Sequence, residues 1–377
     1  MHRFETINLM PASFGTERHL HVHRFGTPGA APKTYIQASL HADETPAMLV
    51  ANQLLERLLE ADRRGEILGE VVVVPFANPI GLSQRMLALH VGRGDLGGGG
   101  NFNRGFPNLS EAAIGRVKEA LGSDRTADDG LVRNVLREAA EALRPNTELD
   151  MLKAALLRLA VDAHIVLDLH CHMEGLTYLY CNEAGWPEAQ DLSAQIGSRA
   201  TLVGGGGGSM TFDEACDEPW LRVGEAFGGA VAHGCLAATI EYRGQADVSD
   251  ELASADADNL FRFLQRRGVI AGEPGPLPEP LCAASPVDAV DHVRAPHAGL
   301  IIHKVGLGDE VHEGQVVAEI VRPEEAIGAP RTPLRARTSG VVFGRLFSRL
   351  ARPGTVYLSI AGQDPSKVRD GMGDPYP

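Results

Sequence analysis

Apolar and polar positions follow two different patterns along most of this 377-residue chain, short apolar runs and apolar positions at helical spacing. Short apolar runs predict strands, and GEVVVV, AHIVLDLH and CLAATIEY are typical of strands buried in a parallel sheet. The predicted strands cover residues 19–25, 34–41, 69–79, 163–170 and 235–242. Helical spacing of apolar positions predicts helices over residues 46–60, 110–160 and 251–267. Strands that alternate with helices predict an α/β fold, with a mixed, mostly parallel sheet flanked by helices.

The pattern changes after AGEPGPLPEP, residues 271–280, whose proline and glycine content is typical of a linker. Beyond it, short apolar runs are separated by glycine turns. Residues 295–320 and 336–360 resemble each other, and this internal half-repeat predicts a small all-β barrel or sandwich. We therefore expect two domains, a larger α/β domain over residues 1–275 and a C-terminal β domain over residues 286–377.

The net charge of the chain disfavours some classes of binding partner. The formal net charge is −14 and no basic block occurs, which disfavours nucleic acids and anionic membrane surfaces. No apolar run has the length of a membrane span, so no membrane association is expected. The five cysteines are widely spaced and odd in number, a pattern that favours a reducing, cytoplasmic location over a disulfide framework.

His41 and Glu44 stand three residues apart where a predicted strand meets a predicted helix. Thr45-Pro46 is a helix-start signal, with Thr45 as the expected cap and Pro46 at the first helical position. His170 ends another buried strand, where an imidazole is costly unless it is hydrogen-bonded or bound to a metal. Two histidines and a glutamate are a set that catalytic zinc uses, with a fourth position open for water.

Several neighbouring residues leave alternatives open. His172 competes for the role of third ligand, although it lies beyond the predicted strand end. Asp168 shares a strand face with His170 and either orients that imidazole or is simply a strand-end carboxylate. Glu241 lies in a buried β-rich run, where it either activates a metal-bound water or forms an ion pair with Arg243.

Three further residues are candidates for contact with an anionic substrate. Arg85, Asn103 and Arg104 could hold a carboxylate or a developing oxyanion, for which an arginine fork is well suited.

The glycines of residues 92–97 match the sequence pattern of a dinucleotide-binding motif, but the structural context that this motif requires is missing. More glycines and then Pro107 follow instead of a helix, so this segment is expected to be a loop.

A set of short motifs resembles those of the succinylglutamate desuccinylase/aspartoacylase family, a branch of the zinc-carboxypeptidase-like fold. In chain order they are His41-x-x-Glu44, Asn78-Pro79 with Arg85, Asn103-Arg104, Asp168-x-His170 and Glu241. The resemblance implies that His41, Glu44 and His170 bind one Zn²⁺ ion per chain, and that residues 1–275 form the catalytic domain. The family's Asp-Leu-Asn-Arg segment is Asn-Phe-Asn-Arg here, beginning at Asn101.

The resemblance also implies roles for the remaining motif residues. Glu241 would act as the general base and then as the proton donor, and Arg85 would polarise the scissile carbonyl. Asn103 and Arg104 would hold the substrate carboxylate. The implied activity is a zinc-dependent amidohydrolase that removes an acyl group from an N-acyl amino acid or a similar small carboxylate. The resemblance also implies a dimer.

Two other functions compete with this prediction. A zinc metallocarboxypeptidase acting on short peptides would use the same ligands but would need an open groove. A non-catalytic binding protein would have kept the fold without the chemistry.

The C-terminal half-repeats also resemble biotinyl and lipoyl carrier domains, but residues 316–338 contain no lysine, so we expect no prosthetic group there.

Overall fold

The computed structural model describes residues 1–121, 129–205 and 208–368. Its first elements, up to the loops that follow the second helix, are β1 (Arg3–Asn8), β2 (His19–Gly26), β3 (Lys33–Ala38), α1 (Thr45–Arg63), β4 (Glu70–Val74), α2 (Pro79–Leu82), β5 (Arg85–Met86), β6 (Leu89–His90), β7 (Gly94–Asp95) and β8 (Gly100–Asn101). β5 pairs with β6, and β7 with β8, as two small antiparallel ribbons.

The central part of the chain alternates helices and strands. Its elements are α3 (Ser110–Leu121), α4 (Asp129–Glu141), α5 (Glu148–Ala160), β9 (Ile165–His172), β10 (Glu174–Gly175), β11 (Tyr178–Cys181), α6 (Trp186–Gln195), β12 (Thr201–Val203), α7 (Phe212–Ala226), β13 (Leu236–Gly244) and α8 (Asp250–Arg266). The helical segment predicted for residues 110–160 is three helices, and its residues 122–128 lie outside the described part.

The remaining elements are short strands, as the pattern after the linker predicts. They are β14 (Ala284–Pro286), β15 (Val290–Arg294), β16 (Gly299–His303), β17 (Glu310–Val311), β18 (Val316–Val321), β19 (Thr332–Arg335), β20 (Gly340–Arg345), β21 (Leu350–Ala351) and β22 (Val356–Ala361). Two 3₁₀ turns, at Val287–Ala289 and Pro365–Lys367, complete the described chain.

A nine-stranded sheet with the order β1-β2-β4-β3-β9-β13-β11-β12-β14 forms the centre of the molecule. Five of its eight neighbouring pairs are parallel, including the run β4-β3-β9-β13. Every residue of β4 and β9 is buried, because helices cover both faces of the sheet. α1, α6 and α8 pack on one face, and α3, α4, α5 and α7 pack on the other. The predicted mixed, mostly parallel α/β sheet is confirmed.

The C-terminal strands form two antiparallel sheets that enclose a separate apolar core. One has the order β10-β20-β22-β15, with β17 beside β20, and the other has the order β19-β18-β16-β21. The predicted small all-β unit is therefore confirmed. The two parts of the chain also exchange strands, because β14 extends the nine-stranded sheet and β10 pairs with β20.

Helix α1 shows one difference from the sequence prediction. The helix begins at Thr45, but Glu44 occupies the N-cap position, so the predicted Thr45 cap is wrong. Glu44 makes no capping bond with its side chain, because its carboxylate is turned toward His41 and His170. Pro46 lies in the first turn, where its missing N–H costs nothing. None of the described helices combines the length and apolar character needed to cross a bilayer.

Candidate metal centre and active-site cavity

Neighbouring parallel strands bring His41, Glu44 and His170 together. β3 and β9 run in parallel register, with Ala38 opposite Leu169, so the chain leaves both strands at the same edge of the sheet. His41 and Glu44 lie in the turn between β3 and α1, and His170 lies near the end of β9. All three side chains are almost completely buried.

The three side chains offer ligand atoms that lie within 4.8 Å of one another. His41 Nδ1 is 3.0 Å from Glu44 Oε1, and His170 Nδ1 is 2.7 Å from Glu44 Oε2. Burial alone would raise the pKa of Glu44, but the two imidazoles hold it well below its usual range. Two imidazole nitrogens and an ionised carboxylate thus converge on one point, which suits a divalent cation.

The outer nitrogens of both imidazoles lie close to other side chains. His41 Nε2 lies 2.9 Å from Asn101 Oδ1, and His170 Nε2 lies 2.9 Å from Asp168 Oδ2. Asp168 in turn accepts a hydrogen bond from Gln37 Nε2 at 2.9 Å. Such partners fix the tautomer and orientation of metal-binding histidines. The residues therefore fit a bound zinc, with Nδ1 of each histidine as the inward-facing nitrogen.

Glu241 lies on β13 beside this cluster. Its Cα is in register with His170 on one side and with Tyr178 on the other. Its Oε2 is buried and has no hydrogen-bond partner in the described part of the chain. Burial raises the pKa of Glu241 to about 8, with Glu44 adding to the effect. Arg243 pairs instead with Asp256 on α8, so it does not neutralise Glu241.

Arg85 and Arg93 occupy different environments. Arg85 lies on the β5–β6 ribbon, is exposed, and does not line the cavity. Arg93, which the sequence analysis did not single out, lines the cavity and reaches Glu44 Oε1 at 3.2 Å. The loop that carries Arg93 packs closely on the residues after His41. Gly92 accepts the hydrogen bond of the Ala42 amide, and a Cβ on Gly92 would lie 2.1 Å from the Asp43 nitrogen.

Asn103 and Arg104 both line the same cavity. Asn103 Nδ2 lies 3.4 Å from His170 Nε2, and its Oδ1 accepts a hydrogen bond from the Phe212 amide at 2.8 Å. The Arg104 carbonyl accepts from Lys153 Nζ at 2.6 Å, which fixes the backbone of this loop. Both residues therefore lie where a substrate near the metal centre could contact them.

His172 does not belong to the cluster of ligand atoms. Its Nδ1 lies 2.9 Å from the Tyr178 hydroxyl. Burial, reinforced by Arg93, lowers the pKa of His172 to about 3, so the imidazole is neutral at physiological pH. Its Nε2 faces β20 so closely that a Cβ on Gly344 would lie 2.6 Å away. His172 thus connects the strand of the metal centre to the C-terminal sheet.

A cavity of about 570 Å³ opens beside the metal centre. Its lining includes His41, His170, Arg93, Asn103, Arg104 and Glu241. The C-terminal part of the chain contributes further lining residues, including His292, Arg337, Phe343 and Ser359. The sequence gives no local signal for these residues, because they reach the cavity only through the packing of the C-terminal sheet.

The sequence of the chain is similar to proteins of one family. Residues 30–267 match the sequence model of the succinylglutamate desuccinylase/aspartoacylase catalytic domain. The N-alpha-acetyl-L-2,4-diaminobutyric acid deacetylase of Halomonas elongata is 24% identical over 335 residues, which cover 88% of this chain and 83% of that protein.

Solved structures also resemble the whole chain. A succinylglutamate desuccinylase/aspartoacylase family protein from Shewanella amazonensis has a TM-score of 0.83 and 26% identity, over 95% of this chain and 98% of that chain. The product-bound ectoine utilization protein EutE (DoeB) from Ruegeria pomeroyi has a TM-score of 0.69 and 17% identity, over 96% of this chain and 95% of that chain. The second likeness concerns the fold alone.

Proposed function

Because the chain belongs to the succinylglutamate desuccinylase/aspartoacylase family, we propose that it is a zinc-dependent amidohydrolase acting on an N-acyl amino acid or similar small carboxylate. One observation carries the proposal. A buried His41, Glu44 and His170 set lies beside Glu241, a carboxylate with an unpartnered buried oxygen in the described chain. A metal site and an adjacent base are the two parts that hydrolysis of an amide by water requires.

Zinc bound by His41, Glu44 and His170 would supply a Lewis acid for the scissile carbonyl and would lower the pKa of water. Glu241 accepts a proton from the attacking water at Oε2. The burial that raises its pKa makes Glu241 a stronger base than an exposed carboxylate. The protonated carboxyl then donates this proton to the leaving amine nitrogen.

Two cationic side chains are proposed to act on the substrate. Arg93 lies beside Glu44 and lines the cavity, so its guanidinium neutralises negative charge that develops on the carbonyl oxygen. Arg85, for which the sequence predicts this role, is exposed and lines no part of the cavity, so we assign the role to Arg93. Asn103 and Arg104 bind the substrate carboxylate at the same wall.

The size and walls of the cavity support a small substrate. A volume of about 570 Å³ accommodates an acylated amino acid, and residues of the C-terminal sheet such as Phe343 form part of the cavity wall. An extended peptide would need an open groove, and a wall to which the C-terminal sheet contributes favours a small substrate over a peptide. The named activity of the Halomonas elongata relative, deacetylation of an N-acetyl amino acid, supports the same substrate class.

The proposal is tested by measuring primary-amine release from acetyl, succinyl and formyl derivatives of acidic, neutral and basic amino acids. Zinc-loaded wild-type protein is expected to release amine from at least one member of this panel. Glu241→Gln is expected to lower kcat about 10²- to 10⁴-fold, because the base is lost while the zinc ligands remain. Glu251→Gln, an exposed change on α8, serves as the matched control. Absence of release across the panel would contradict the proposal.

A further inference from the structure

β1 is one edge of the nine-stranded sheet, and among the described residues it pairs only with β2. The register runs from Arg3 opposite Arg24 to Asn8 opposite His19 without a bulge. No proline interrupts the strand, and all but one of its six residues are exposed. The opposite edge, β14, has three residues and ends in Pro286, which has no N–H to offer. β1 is therefore the edge that is open to a further strand.

The backbone groups on the open side of β1 can be assigned from one hydrogen bond. The Leu9 amide donates to the Arg18 carbonyl at 2.9 Å, at the end of the β1–β2 pair. Residues of an antiparallel pair alternate between those that exchange hydrogen bonds with the neighbouring strand and those that do not. Every second residue back from Leu9, including Glu5, therefore bonds to β2. The N–H and C=O groups of Phe4 and Thr6 point to the open side.

The sequence of β1 is complementary to itself in one register. Two copies of the strand related by a two-fold axis pair antiparallel, and opposite side chains then share a face of the sheet. A register centred on Arg3 or on Glu5 places like charges opposite each other at the axis. A register centred on Thr6 leaves Glu5 opposite Ile7. Centred on Phe4, the register puts Arg3 of each copy opposite Glu5 of the other.

The two charged side chains remain accessible for this contact. Arg3 lies 3.9 Å from Glu70, and Glu5 pairs with Arg24 at 2.9 Å. The side chains of Arg3 and Glu5 are nevertheless each 46% exposed. Opposite charges that face each other across neighbouring strands stabilise the pairing, and like charges destabilise it. The two-fold axis makes each such contact occur twice.

Phe4 gives the edge an apolar centre. Its side chain is 55% exposed, and its ring makes edge-to-face contacts with His21 and His23 on β2. Two further large apolar side chains, Met10 and Phe14, are exposed in the segment that follows the strand. Two Phe4 rings that face each other across the axis would remove apolar surface from water.

We propose that the β1 edge binds a second copy of this chain, with the two strands antiparallel about a two-fold axis at Phe4. The two nine-stranded sheets then join into one. The Phe4 N–H of each copy donates to the Phe4 carbonyl of the other, and two Arg3–Glu5 ion pairs flank this centre. The His2 amide already donates to Asp62, so the shared ladder is short and the dimer is reversible.

The first test measures the mass of the full-length protein by sedimentation equilibrium, between about 1 and 500 μM. Wild-type protein is expected to show a monomer–dimer equilibrium. Arg3→Glu and Glu5→Arg each create two like-charge contacts, so each is expected to raise the dissociation constant at least about 10-fold. The double variant again places opposite charges together and is expected to return to within about 3-fold of wild type.

Arg262→Glu is the matched control for charge, because Arg262 is exposed on α8 and the change in net charge equals that of Arg3→Glu. This variant is expected to keep the wild-type dissociation constant. Recovery in the double variant would also show that the single variants did not simply misfold.

The second test traps the register with a disulfide. The Cα atoms of a hydrogen-bonded antiparallel pair lie about 5.5 Å apart, which a disulfide can span. Phe4→Cys is therefore expected to give a covalent dimer under mild oxidation. Thr6→Cys is the control, because the two residues would lie four positions apart, about 13 Å along the strand. Wild-type protein gives the baseline, since its cysteines are buried except Cys282, which is partly buried.

Three results would overturn the inference. They are a wild-type protein that stays monomeric over the whole range, a dimer that Arg3→Glu and Glu5→Arg leave intact, and a covalent dimer in Thr6→Cys but not in Phe4→Cys. None of these measurements uses amine release, so their outcome is independent of the proposed hydrolase activity.

Discussion

The proposed chemistry depends on a few side chains that could be found in the sequence because they follow buried strands. His41 and His170 end apolar runs, and parallel neighbours must leave the sheet at one edge. Their convergence with Glu44 was therefore predictable. The place of Arg93 in the site was not predictable. It depends on the close approach of Gly92 to Asp43, which no local sequence pattern reveals.

The two arginines can be distinguished by substitution. Arg93→Ala is expected to lower kcat/KM by about 10²- to 10³-fold, because a charge that stabilises the oxyanion is removed. Arg85→Ala, on the exposed β5–β6 ribbon, is expected to stay close to wild type. Steady-state kinetics with zinc content measured in parallel would test both. A large loss for Arg85→Ala with a small loss for Arg93→Ala would restore the assignment that the sequence suggests.

Among the secondary-structure elements, the long strands and helices were predictable and the short ones were not. β4 and β9 are recognisable from continuous apolar runs, and α1 and α8 from helical spacing. Strands of two residues, such as β10, carry too few positions for any period to appear. Yet β10 pairs with β20, and this pairing lies beside His172 and the cavity.

The contact between β20 and His172 makes Gly344 a sensitive position. Gly344→Ala would place a Cβ 2.6 Å from His172 Nε2, so the imidazole or the strand must move. We expect the free energy of unfolding to fall by about 1–3 kcal/mol. We also expect kcat/KM to fall, because His172 lines the cavity. Denaturant unfolding and kinetics would measure the two effects.

Gly115 on α3 provides the matched control for this substitution. Outside the backbone of its own helix, a Cβ at Gly115 would meet no atom of the described residues within 4 Å, so Gly115→Ala is expected to raise stability by about 0.5–1 kcal/mol. If Gly344→Ala kept the stability and activity of the wild-type protein, the contact with β20 would not position His172.

For the whole molecule, the sequence indicates an α/β part and a β part but does not show how they join. In the structure, each part contributes one strand to a sheet of the other part. β14 lies in the nine-stranded sheet, and β10 lies in a C-terminal sheet. Pairings of this kind join residues far apart in the chain, and strands as short as these carry no sequence signal for their partners. The cavity wall formed by the C-terminal sheet follows from this arrangement.

Strand exchange also predicts how the chain unfolds. Neither part keeps a complete sheet without the other, so we expect one cooperative thermal transition in calorimetry, with the same midpoint in circular dichroism. Glu174→Gln, which removes the ion pairs with Arg345 and Arg349 at the β10–β20 junction, is expected to lower that midpoint without splitting the transition. Two resolved transitions in the wild-type protein would show that the parts unfold independently.

The most direct test of the central claim is a zinc titration of chelator-treated protein, with bound metal and amine release measured on the same samples. We predict that activity rises linearly and stops at one zinc per chain. Glu241→Gln is predicted to bind the same amount of zinc and to remain inactive, since it keeps His41, Glu44 and His170. Activity that survives complete removal of the metal, or zinc binding that persists after His41→Ala and His170→Ala are combined, would contradict the account.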